Sequence, residues 1–118
     1  MGWYGVDLDS TLAVHNPGDG IDKIGEPVPK TLAWVKSMVA NGEDVRIFTA
    51  RMSVKNTIWV EKAIAEWTLK HVGKALPATC RKDFDMISLR DDRAVGVVPN
   101  EGTTHLELLE AAHDKRRK

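Results

Sequence analysis

Short β-forming runs alternate with amphipathic helical stretches along this chain, and that alternation constrains its fold more than any other feature. WYGVDL at 3–8 is apolar and β-rich, and the Gly/Pro/Asn-rich segment HNPGDGIDKIGEPVP follows it as a loop. Pro29 opens a helix with Leu32, Val35, Met38 and Val39 at spacings of three and four, stopped by Asn41-Gly42. DVRIFTA at 44–50 predicts a second strand, and Ser53 caps a second helix whose Ile58, Ala63, Ile64 and Trp67 run toward Gly73. LPATC at 76–80, DMISLR ending at Arg90 and AVGVV at 94–98 predict three more strands. Thr104 and Glu107 form a capping box for a last helix carrying Leu106, Leu109 and Ala112. The pattern predicts an α/β domain over 1–118: a three-layer αβα Rossmann-like fold with a parallel sheet of about five strands and helices on both faces.

Charge and composition narrow the partners. Seventeen basic and seventeen acidic side chains cancel, so no overall field draws the chain to nucleic acid or to an anionic membrane. The terminal DKRRK reads as a solvated basic helix end rather than a phosphate-binding arm. The single cysteine, Cys80, excludes an internal disulfide, fits a reducing compartment and reads as a buried spectator in an apolar setting. No basic region followed by a long apolar run opens the chain, and Val6 stands where a myristoylation signal wants Ser or Thr. A soluble cytoplasmic protein without membrane contact is expected. Trp3, Trp34, Trp59 and Trp67 fall mainly on strand or helix faces, which favours core packing over base stacking.

In open parallel sheets ligands bind beyond the carboxyl ends of the strands, so residues there carry the functional reading. The first strand delivers Asp7 and Asp9, the second Thr49 and Arg51, the third Lys82 and Asp83, and the fourth Asp91 and Asp92. Residues 7 and 9 share one side of an extended chain, so two carboxylates aim at one small volume, joined by Asp91 or Asp92. Such crowded negative charge requires a cation or strongly raised pKa values, and an all-oxygen donor set suits Mg²⁺. With a nearby lysine and threonine, the set suits a phosphoryl group: Asp7 can attack phosphorus, and Asp9 can protonate the leaving oxygen and later deprotonate water. Each residue alone is an ordinary turn, strand or surface residue; the combination is what points to chemistry.

These residues resemble the four motifs of the haloacid dehalogenase-like superfamily: DLDST for its DxDxT, Thr49 in FTAR, Lys82 in CRKD, and RDDR for the terminal acid motif. Within that superfamily the chain resembles small bacterial and phage members that share IGEPVP, FTAR and DDRAVGVVPN. The resemblance implies a Mg²⁺-dependent phosphatase on a Rossmann-like sheet, with Asp7 as nucleophile and metal ligand. It implies Asp9 as acid/base and as a ligand through its backbone carbonyl, and Thr49 and Lys82 as holders of the phosphoryl group. Asp91, Asp92 or both complete the metal site, Asp91 being favoured. Ser10 and Arg51 are counted as further phosphate contacts. Ser10 replaces the glycine many relatives carry, which narrows the backbone conformations open to it. Neither inter-motif gap holds a cap domain, so the site is expected to be open and to admit a nucleotide or macromolecular phosphorylated substrate, unless a second subunit or the 13–28 loop covers it. Arg51, Arg93, His15 and Lys23 are candidates for the entrance, and His71, His105 and His113 read as solvated. A non-catalytic module that binds Mg²⁺ and a phosphorylated ligand is the alternative. A phospho-accepting receiver domain is disfavoured by motif order.

Overall fold

In the computed structural model, residues 1–117 are described, with side chains through Asp114; the basic run predicted as a solvated end lies beyond them from residue 115 onward. The β-rich runs form one parallel sheet of four strands in the order β3-β2-β1-β4. These are β1 (Trp3–Asp7), β2 (Asp44–Phe48), β3 (Ala78–Thr79) and β4 (Met86–Arg90). β1 lies inside the sheet, pairing Val6 with Ile47 on one side and with Arg90 on the other.

Alternation along β1 sorts its residues between two unlike faces. Val6, with Leu8 just beyond the strand, joins Val45 and Ile47 of β2 in the core. Two helices close that face, α1 (Pro29–Ala40) through Val35 and α2 (Ile58–Val72) through Val60, Ile64 and Trp67. α1 starts at Pro29, whose missing N–H falls where a helix has no partner for it. α2 stops at Gly73, where a φ of +97° lets the N–H reach Thr68 O and Leu69 O. Ser53 does not cap α2: it ends a 3₁₀ turn (Ala50–Ser53) and its hydroxyl bonds back to Ala50 O at 2.6 Å. Asn56 instead accepts the Ile58 N–H.

The other face departs from the sequence reading. The β3–β4 connection is only residues 80–85, too short for a helix, and it crosses this face directly. Trp3 Nε1 donates to Asp83 at 2.8 Å and Trp3 N donates to Asp85 O, while the Arg46 guanidinium lies 4.8 Å over the Trp3 ring. The expected fifth strand does not form either. AVGVV turns back on the start of the last helix, α3 (His105–Arg117), through Val98 N to Thr103 O and His105 N to Gly96 O, leaving one isolated bridge between Val97 and Thr104. The Thr104–Glu107 capping box forms as predicted. Trp59 is exposed rather than in the core, and no helix among the described residues is long and apolar enough to cross a membrane.

Candidate functional site

β1 ends in a tight turn in which Leu8 O accepts N–H groups from Thr11, Leu12 and Ala13. That turn sends Leu12 and Ala13 into the core and leaves Asp7, Asp9 and Ser10 at the rim of the sheet. Ser10 takes φ +71°, a left-handed conformation that glycine adopts without strain, and its N–H donates to Ala13 O. The chain then runs out and back as a loop, pinned at its base by Val14 N to Glu26 O and Val28 N to Leu12 O.

A cleft of about 490 Å³ opens at this rim, lined by Asp7, Asp9, Ser10, Thr49, Asp91 and Arg93 among others. β1 supplies the first carboxylate and the end of β4 brings Asp91 and Asp92 beside it. One oxygen from each of Asp7, Asp91 and Asp92 lies within 4.8 Å of the others. The Thr11 hydroxyl lies 3.2 Å from Asp7 Oδ2 and 3.0 Å from Asp92 Oδ1, and it accepts the Asp92 N–H. Its single proton can serve only one carboxylate at a time. Burial, then the hydrogen bond with Asp92 and the charge of Asp91, push the Asp7 carboxyl up to about 7, with Thr11 pulling against the shift. The same bond from Asp7 holds Asp92 below the usual carboxylate range. The pair therefore shares a proton that a divalent cation would displace.

Asp9 is occupied differently. Arg51 grips it with two parallel bonds, Nε to Oδ2 at 2.9 Å and Nη2 to Oδ1 at 2.8 Å, and spends Nη1 on the carbonyls of Ile21 and Lys23, both at 2.7 Å. Arg51 thus spends its donors on the protein and is not among the residues lining the cleft, contrary to its reading as a phosphate contact. His15 Nδ1 stands 3.8 Å from Asp9 Oδ1. Thr49 is buried at the floor. Its oxygen accepts the Arg51 N–H at 3.1 Å, which leaves its proton free to donate.

Lys82 does not reach this cleft. It lines a second depression with Trp3, Arg46 and Arg81, because the 80–85 segment carries it across the other face. Cys80, expected to be buried, is exposed and lines the main cleft. Thr11 enters the sequence reading only as the last residue of DLDST, with no role of its own, although a hydroxyl four residues after Asp7, on the turn that the aspartates begin, was the available signal. The Arg51–Asp9 contact spans 42 positions and left no local trace.

No family model and no curated protein matches the sequence. Among solved structures the chain is similar to a conserved protein from Bacteroides thetaiotaomicron, at 19% identity and a TM-score of 0.56, covering 98% of this chain and 90% of that one. At that identity the likeness speaks for the α/β fold alone.

Proposed function

We infer that the chain is a haloacid dehalogenase-like phosphomonoester hydrolase dependent on Mg²⁺, acting through an aspartyl-phosphate on Asp7. The observation that carries this reading is the meeting of Asp7 with Asp91 and Asp92 at the carboxyl rim of the sheet, beside a threonine floor. Three carboxylates with a shared proton fit a hard divalent ion, which Asp7, Asp91 and Asp92 would hold. Such an ion, when bound, neutralises charge on the phosphoryl oxygens and keeps Asp7 ionised.

The chain's own residues supply the rest. An Asp7 oxygen attacks phosphorus as the ester P–O bond breaks, and Asp9 gives its proton to the departing oxygen. Water then attacks phosphorus while passing a proton to Asp9. The acyl–phosphate P–O bond breaks, freeing the Asp7 carboxylate and inorganic phosphate. Thr49 donates to a phosphoryl oxygen, and Arg93, which lines the cleft, provides the cationic contact that Lys82 does not. Arg51 has to release Asp9 for either proton transfer. A cleft without a cap suits a bulky phosphorylated substrate, a nucleotide or a macromolecular end, in the cytoplasm. With a further layer over its second face, the sheet becomes the centre of a three-layer αβα sandwich.

A panel of nucleotides, sugar phosphates and phosphorylated peptide or nucleic-acid ends, assayed with Mg²⁺, tests the reading. Turnover abolished by Asp7→Asn is the expected result, and turnover that survives Asp7→Asn overturns it. The grip of Arg51 on Asp9 favours one second reading, a non-catalytic module binding Mg²⁺ and a phosphorylated ligand. Its sign is saturable Mg²⁺-dependent ligand binding with no ester turned over.

A further inference from the structure

No described residue after Leu76 is buried. The segment beyond it nevertheless carries the marks of a chain made to pack. It contains a strand of the sheet, a capped helix and half of the large exposed apolar side chains: Phe84, Ile87, Val95, Val97, Leu106, Leu108 and Leu109. On α3, Leu106, Leu109 and Ala112 recur every three residues with Leu108 beside them, while Glu107, Glu110 and Asp114 occupy the opposite side. Yet Leu106 is 63% exposed and Leu109 68%, so the apolar stripe is left largely in solvent. A helix of 13 residues is marginal in water without such a partner.

The same molecule lacks a helix where one belongs. α1 and α2 both pack on one face, the β3–β4 connection crosses the other as bare chain, and β4 is an edge strand. Around β4 the second face is apolar but half-covered: a side chain on Gly5 would touch Met86, Leu89 and Trp3, and both Met86 and Leu89 keep part of their surface in solvent, with Ile87 exposed beside them. The dimensions agree with a helix held away from the body. The radius of gyration is 16.4 Å and the long axis 54 Å, whereas a compact chain of this length has a radius near ~13.5 Å.

We propose that α3 is exchanged between two copies of this chain, the Leu106–Leu109–Ala112 stripe of each lying along β4 of the other on the sheet face that has no helix. One chain holds both the helix without a face and the face without a helix, so two copies satisfy both needs in a closed two-fold arrangement. The lengths match: α3 spans about 20 Å, and a five-residue strand about 17 Å. Seven large apolar side chains per copy offer area on the order of the ~800 Å² that each partner buries in a standard interface. The proposal concerns the fold and stands whether or not the cleft is catalytic.

Light scattering of the full chain at tens of micromolar is expected to give twice the 13.1 kDa of the sequence. The double variant Leu106→Glu/Leu109→Glu is expected to give the monomer mass. Both side chains are exposed in the single copy, so the variant keeps its core. A monomeric wild type overturns the proposal, leaving the chain's own body or another protein as the occupant. A dimer untouched by the double variant overturns it equally, since the contact then lies elsewhere. Hydrogen exchange on the wild type alone reads the same point without a variant. Amides of α3 and β4 should lose protection together on dilution, and protection independent of concentration overturns the exchange.

Discussion

At Ser10 the backbone and the side chain disagree. A φ of +71° costs a residue with a Cβ about 1–2 kcal/mol, while a glycine would give back roughly 0.5–1 kcal/mol through the freedom of the unfolded chain. Strain relief is the larger effect, so Ser10→Gly should stabilise the protein by about 0.5–1 kcal/mol, seen as a higher urea midpoint with an unchanged slope. The sequence exposed this position only as a residue standing where relatives have glycine. The turn built on Leu8 O is what demands the left-handed conformation. Asp7 and Asp92 show the opposite limit of legibility. That two carboxylates meet was readable from strand ends. How they divide a proton depends on Thr11, on Asp91 and on the depth of the cleft, which only the fold sets.

Among the elements, those with local punctuation were legible. β1, α1 from Pro29 to its Asn41-Gly42 stop, β2, α2 to Gly73 and the capped start of α3 all follow from nearby residues. Elements that depend on what lies across from them were not. AVGVV has the composition of a strand but pairs with Thr104 instead of β4, and Lys82 follows a six-residue crossing to the wrong face. The loop at 13–28 illustrates how distant contacts fix an element with no regular structure. Arg51 holds the carbonyls of Ile21 and Lys23, and Trp67 Nε1 holds Gly25 O at 3.0 Å. A Cβ at position 25 would collide with Val14 O, so only glycine lets the two sides of the loop close. Arg51→Gln should therefore cost about 2–3 kcal/mol, since it removes charge-assisted bonds and leaves Asp9 without its cation. Faster amide exchange across 19–25 should accompany the loss. Arg51→Lys should recover only part of it, because a single ammonium cannot span Asp9 and two carbonyls together.

For the whole molecule, the crowded carboxylates set a conflict between folding and function that pH and Mg²⁺ should expose. The Asp7 carboxyl lies near 7 in the fold and near 3.8 in the open chain, so the folded state holds the extra proton between those values. Asp7 therefore lends stability at pH below about 4 that is lost as pH rises through 7. Asp92, held low by the same bond, works in the other direction and softens the slope. Without divalent ions, Asp7→Asn should then melt at a higher temperature than the wild type above pH 7, because the amide removes a charge the cleft repels. Mg²⁺ should reverse that order. An ion bound by Asp7, Asp91 and Asp92 stabilises only the fold, by about 2.7 kcal/mol at a hundred times its dissociation constant, which is on the order of 10 °C for a chain of this size. Its affinity should rise with pH up to about 7, since binding expels the shared proton, and Asp7→Asn should show little response. Melting curves of both proteins across pH, with and without Mg²⁺, decide the matter. A wild type that Mg²⁺ leaves unshifted at pH 8 would mean that the three carboxylates hold no such ion, and the phosphatase reading would lose the cation on which it depends.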